Sequence, residues 1–192
     1  MRIQRSEDHK VMPWKNGLGV TREVALAPSP RPDAPFLWRL SLATIKGSGP
    51  FSLFPGIDRS IAALSGKPVR LVVDGKEEAT LDALGEPYSF SGDAVVEAIS
   101  EGGETTDLNI MTLRGSATHR MSRLVCSQSS TVTAEHDLNM IVFTSRAKIT
   151  ASGHSEEVDA FDVILDIARH ENLTIEAVTP TAAYFIGIDL AN

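Results

Sequence analysis

At 192 residues the chain has room for one large β domain or two small ones, and 42% apolar against 22% charged residues is enough for a real core. A formal charge of −7 argues against non-specific nucleic-acid binding and against an anionic membrane surface, and no apolar run approaches the roughly 20 residues needed to span a bilayer. Cys126 is the only cysteine, which excludes an intrachain disulfide framework and a cysteine-based metal cluster.

Residues 1–10 are charged, carry no apolar signal segment, and read as a short edge strand or arm; the expected location is cytoplasmic. The stretch Met12 to Glu23 is too polar for a core strand and too rich in glycine for a helix. Gly17 and Gly19 allow positive φ or a close backbone approach. Around them sit Trp14, Lys15, Asn16, Thr21, Arg22 and Glu23, which offer an aromatic face, an amide, a hydroxyl and three charges. Two readings stand: a solvated loop, or a loop whose polar groups point into a pocket on a rigid scaffold.

Val20 to Leu26 predicts a short strand, and the proline-rich run 27–35 an irregular exposed loop. In Phe36 to Ile45, Trp38, Leu40 and Leu42 alternate with Arg39, Ser41 and Ala43, the period of a strand with one apolar face. Arg39 is solvated if the Trp38 row faces a core, and points into a cavity if the sheet lines a barrel. Pro55-Gly56 marks a tight turn, and Asp74-Gly75 joins Val69–Val73 to Glu77–Leu81 as a hairpin. Thr106 to Leu113 puts Asp107, Asn109 and Met111 on one face.

The second half predicts strands at 123–127, 131–134, 139–145, 148–151, 163–167, 173–178 and 182–188, with Pro180 separating the last two. The best helical candidate is the weak one at Ser116 to Leu124. Many short strands at regular spacing make the chain all-β, a sandwich or barrel. A faint echo between 90–99 and 160–167, each a turn with an acidic residue before an apolar strand, fits two modules in one chain.

Pro13-Trp14-Lys15-Asn16-Gly17 with Thr21-Arg22-Glu23, then Gly49-Pro50-Phe51-Ser52 with Phe54-Pro55-Gly56-Ile57-Asp58-Arg59, then Phe90-Ser91-Gly92-Asp93 and Asp107-Leu108-Asn109-Ile110-Met111 with Arg114-Gly115, follow one another in the order seen in the HutD/Ves family. The chain resembles that family over residues 12–115. One departure is Leu18, which stands between Gly17 and Gly19 where the family usually continues with glycine. The resemblance implies a bicupin, two cupin-type (jelly-roll) β-barrel modules, here divided at about 1–115 and 116–192 with strands open to exchange between modules. It also implies a link to bacterial histidine utilisation through binding of a pathway intermediate such as urocanate or formylglutamate.

The histidines are His9, His119, His136, His154 and His170, no two closer than sixteen residues, so the His-x-His pair of metal-dependent cupins is absent. No nucleophile elbow, P-loop or dinucleotide fingerprint appears, and no cofactor or metal is expected. The preferred expectation is a pocket for a small carboxylate rimmed or braced by Trp14, Lys15, Asn16, Arg22, Glu23, Arg39, Asp58, Arg59, Asp107 and Asn109, with arginine supplying two-point contacts. The rival is a metal-independent isomerase or hydrolase using Asp58, Asp107 or Glu23 as acid and base. A third reading makes the polar motifs purely structural. Edge strands could pair two copies as a homodimer.

Overall fold

Turn signals and period-2 runs punctuate the described residues into seventeen strands. The computed structural model describes every residue except Lys15, Asn16, Leu18 and Asn192, and of Val178 the backbone only. In order the strands are β1 (Arg2–Gln4), β2 (Lys10–Pro13), β3 (Gly19–Ala27), β4 (Trp38–Ile45), β5 (Gly49–Pro50), β6 (Ile57–Gly66), β7 (Val69–Val73), β8 (Lys76–Leu81), β9 (Tyr88–Ser91), β10 (Val96–Ser100), β11 (Thr105–Leu113), β12 (Ala117–Thr133), β13 (Leu138–Phe143), β14 (Ala147–Ala151), β15 (His154–Val158), β16 (Val163–Ile167) and β17 (Asn172–Leu190). A 3-10 turn at Ser6–Asp8 is the one helical element among the described residues. The protein is therefore all-β, and no helix is long and apolar enough to cross a membrane.

The chain divides into two compact units, Lys10–Thr118 with Ala191, and Met1–His9 with His119–Leu190. The first nine residues thus belong with the later half of the sequence. Asp162 holds them there: it accepts hydrogen bonds from Arg5 Nη1 at 2.8 Å and the Ser6 amide at 2.8 Å, and Arg2 to Gln4 pair with Leu165 to Val163. Burial works against ionising Asp162, but those bonds together with the Asp159 amide hold its carboxyl below the usual range.

In the 10–118 unit a six-stranded sheet runs β2-β3-β4-β11-β6-β9, and a four-stranded sheet runs β5-β10-β7-β8. The β7–β8 hairpin turns on Asp74 and Gly75 at φ 48° and 79°, the two positive values a type I′ turn requires. Ile61 and Ala63 of the larger sheet pack with Val69, Leu71, Leu81, Val96 and Ala98 of the smaller, which closes one part of the interior with hydrocarbon.

In the 119–190 unit the order is β1-β16-β13-β17-β14-β15, with β12 also on β17. Its interior is filled by Ile141, Phe143, Ile149, Ile164, Leu173, Ile175 and Phe185, with Cys126 buried among them. Burial pushes the Cys126 thiol up, as expected of a structural cysteine.

Several boundaries differ from the sequence expectation. Ser116 to Leu124 is not helical; it opens β12, which also runs without a break through 123–127 and 131–134. The break expected at Pro180 is absent, because β17 continues from Asn172 to Leu190. The strand changes partner there instead: residues 173–176 pair with β14 and 183–188 with β13. Pro180 falls between the two registers, where a missing N–H costs no bond in either ladder.

Candidate functional site

Four neighbouring strands put every second side chain on one face of the larger sheet, and the register fixes which ones share a row. Asp107 on β11 lies opposite Ala43 on β4 and Ala63 on β6; Thr21 on β3 extends that row. Asn109 lies opposite Ser41 and Ile61, with Glu23 beyond Ser41. Met111 lies between Arg39 and Arg59. This face opens onto a cavity of about 480 Å³, within the range of small-molecule sites. Its wall also takes in Trp14 and, from the segment after β5, Phe51, Ser52 and Phe54.

Four polar residues on this face are almost fully buried: Ser41 at 4% exposure, Arg59 at 5%, Asp107 at 2% and Asn109 at 6%. The Arg59 guanidinium lies against three rings, 4.7 Å from the centroid of Phe90, 5.3 Å from Phe51 and 5.4 Å from Phe54. One Nη donates to the Ser52 carbonyl at 3.3 Å. The quadrupoles of the rings offset part of the cost of burying that cation. Burial pulls Arg59 down to about 10; the charge of Asp107 opposes this and that of Arg39 adds to it. Burial pushes the Asp107 carboxyl up to about 7 against the pull of Arg59. Among the described residues, Asp107 Oδ1, Asn109 Oδ1 and Arg59 Nε have no hydrogen-bond partner.

At the edge, Arg39 Nε donates to Glu23 Oε2 at 2.9 Å, with both side chains partly exposed. Trp14 is fixed by its indole N–H, which donates to Thr21 Oγ1 at 2.8 Å. The glycines of the opening motif do two different jobs. Gly17 sits at φ 71° and its amide donates to the Trp14 carbonyl at 3.1 Å. At Gly19 a Cβ would strike the Thr44 carbonyl oxygen and the Trp14 ring, so the missing side chain is what lets the indole lie down.

Of the ten residues expected at the pocket, Trp14, Arg39, Arg59, Asp107 and Asn109 line it. Glu23 braces Arg39 from beside it. Lys15 and Asn16 lie outside the described residues. Arg22 alternates between Thr21 and Glu23 and so points from the opposite face of β3. Asp58 is also elsewhere: it accepts from Arg114 Nη2 at 2.6 Å, and Arg114 Nη1 donates to Asp93 at 2.9 Å. The Arg114 bond, with support from the Gly56 amide and Ser91, holds Asp93 below the usual carboxylate range. The second and third motifs therefore divide into pocket residues and a surface clamp around the Pro55-Gly56 turn. Thr21, Ser41, Phe51, Ser52, Phe54 and Met111 line the cavity but were not singled out as site residues. Ser41 and Met111 were legible as period-2 neighbours of Arg39 and Asn109.

Among the described residues no group of three or more His, Cys, Asp or Glu is placed to hold a metal ion. His136 is tied to Asp189, Nδ1 to Oδ2 at 2.9 Å, in the other unit.

Protein Ves from Citrobacter koseri is 47% identical over 102 residues, 53% of this chain and 52% of that protein. An uncharacterised 21.2 kDa protein from the hutC 3' region of Pseudomonas putida is 39% identical over 111 residues, 58% of this chain and 57% of that one. The chain spans about half the length of these two relatives in those matches. The structure of HutD from Pseudomonas fluorescens SBW25, determined in a formate condition, superposes with a TM-score of 0.83 at 25% identity over 100% of this chain and 99% of that one. A cupin 2 conserved barrel domain protein from Leptotrichia buccalis shares the fold alone, with a TM-score of 0.57 at 9% identity over 98% of this chain and 100% of that one. The HutD profile itself matches residues 6–184, which takes in both units and all three motifs. With the HutD profile matching across residues 6–184, the chain belongs to the HutD family.

Proposed function

We propose that this protein binds a small carboxylate-bearing molecule in the cavity of the 10–118 unit and thereby modulates histidine utilisation, with urocanate and formylglutamate as the candidate ligands. The observation that carries this reading is the pair of arginines, Arg39 and Arg59, flanking Met111 in one row of the wall. Glu23 engages Arg39 through one nitrogen only, and Asp107 is held back from full ionisation near neutral pH, so the hollow favours an anion. Trp14 and Phe51 supply flat apolar wall for the planar part of such a ligand. A relative encoded beside hutC and a family structure determined in a formate condition support the same choice. In this reading the two units are cupin-type modules of a bicupin, and the protein works in the cytoplasm without nucleic acid or membrane, free to form a homodimer. Calorimetry of the folded protein with urocanate, formylglutamate and formate tests it. Heat that saturates with at least one of them is expected, and none with any would remove the reading.

A second reading rests on Asp107 alone. A buried carboxyl that titrates near 7 has the right proton affinity for general acid–base work on a small acid, as a metal-independent isomerase or hydrolase. Incubation with urocanate or formylglutamate, followed by NMR, separates the two. Turnover that is lost in Asp107→Asn favours the enzyme; binding without turnover favours the binding protein.

A further inference from the structure

The polar groups of the cavity are sorted along the strands. Both arginines stand in the Met111 row. The next row holds Asn109 and Ser41, and the row beyond holds Asp107 between two alanines, Ala43 and Ala63. Cations thus occupy one end and acceptors the other, four residues apart on β11, or about 13 Å along the strand before the side chains reach inward. The long Arg59 side chain spans part of that distance, since its charge is felt at Asp107.

The acceptor end is unfinished. Asp107 Oδ1 and Asn109 Oδ1 are buried and have no partner among the described residues, whereas folded proteins pair nearly all such atoms. Of the donors nearby, the Trp14 indole is engaged by Thr21, Arg39 Nε by Glu23, and an Arg59 Nη by the Ser52 carbonyl, while Arg59 Nε, in a guanidinium held among rings, bonds to neither acceptor. The charged groups that face Asp107 across the sheet are Arg59 on β6, with Arg39 on β4 and its partner Glu23 on β3 further along.

We propose that the ligand carries an N–H at its inner end, which donates to Asp107 and Asn109 while its carboxylate meets the arginine row. The ligand class is a carboxylic acid with a ring or amide N–H at the far end. This rests on the carboxylate reading of the cavity and narrows it. A bare carboxylate such as formate satisfies one end only, and the two orphan acceptors stay orphaned when it binds.

The test is calorimetry on the full chain with matched pairs: urocanate against 3-(3-furyl)acrylate, whose ring oxygen replaces the N–H, and N-formylglutamate against its N-methyl analogue. In at least one pair the N–H member is expected to bind about tenfold tighter or more, because the analogue leaves a buried acceptor unmet. Asp107→Leu is expected to bring that ratio towards one, Asp107→Asn to retain part of it, and Arg39→Gln to weaken both members alike. Equal affinities within every pair that binds would overturn the N–H assignment and leave the carboxylate reading standing. No binding by any of the four overturns both. The comparison within each pair uses the unaltered protein, so it holds even where a variant fails to fold.

Discussion

The two units share a strand style but fill their interiors in opposite ways. In the 119–190 unit, β13, β14, β16 and β17 contribute Phe143, Ile149, Ile164 and Phe185 to a continuous hydrocarbon cluster. In the 10–118 unit hydrocarbon closes the Ile61 and Ala63 side and a smaller cluster of Phe36, Ile57, Met111 and Leu113, and the same sheet face bears Arg39, Ser41, Asp107 and Asn109 around a hollow. A buried cation under three rings and a carboxyl pushed up by burial are costly in a protein that needs only a core. The difference teaches that one unit is built chiefly for stability, whereas the other gives some up for a site.

The largest effect should come from the filled interior. Phe143→Ala removes a fully buried ring and is expected to cost about 3–5 kcal/mol in urea denaturation. Asn109→Ala in the hollow should cost far less, and a comparable loss there would erase the contrast. Next is Asp107→Asn. From its ordinary 3.8 to about 7, the folded chain keeps a proton that the unfolded chain has already lost. The unfolded state therefore binds fewer protons, and stability falls as pH rises through that window, then levels off. The asparagine variant should lack that slope and stand roughly 2–4 kcal/mol above the parent at pH 8, relative to the difference at pH 4, if Asp107 is as desolvated as its surroundings imply. Thermal melts across pH check this, and parallel curves for the two proteins would contradict it.

The pocket face was legible because alternation needs only the sequence: Asp107, Asn109 and Met111 share a side whatever they pair with. That Arg39 joins them inside was not legible, since the same alternation fits a solvated arginine, and only pairing with β11 decides. Asp58 shows the opposite failure. It sits one residue from Arg59 in the same motif, yet its partner is Arg114, 56 residues away, and no local pattern announces that bond. The continuity of β17 was hidden for a related reason: a strand that changes partners midway looks, locally, like two strands and a break.

Two smaller effects sharpen the division between pocket and clamp. Arg39→Gln should weaken urocanate binding about tenfold while shifting the melting midpoint little, since the exposed side of its pair with Glu23 is cheaply replaced by water. Arg114→Ala should leave ligand affinity unchanged and move the midpoint only slightly, because its contacts to Asp58 and Asp93 lie in solvent. A loss of binding in the Arg114 variant would show that the clamp positions the wall.

The pairing of Arg2, Ile3 and Gln4 with Leu165, Ile164 and Val163 bears on biosynthesis. During translation β1 is made long before its docking edge on β16. Strands β2 to β11 can zip up among themselves in the meantime, so β1 stays a loose ribbon until β16 arrives. Any pause or release before Val163 would leave that ribbon with nothing to bind, and a quality-control protease with an obvious place to start.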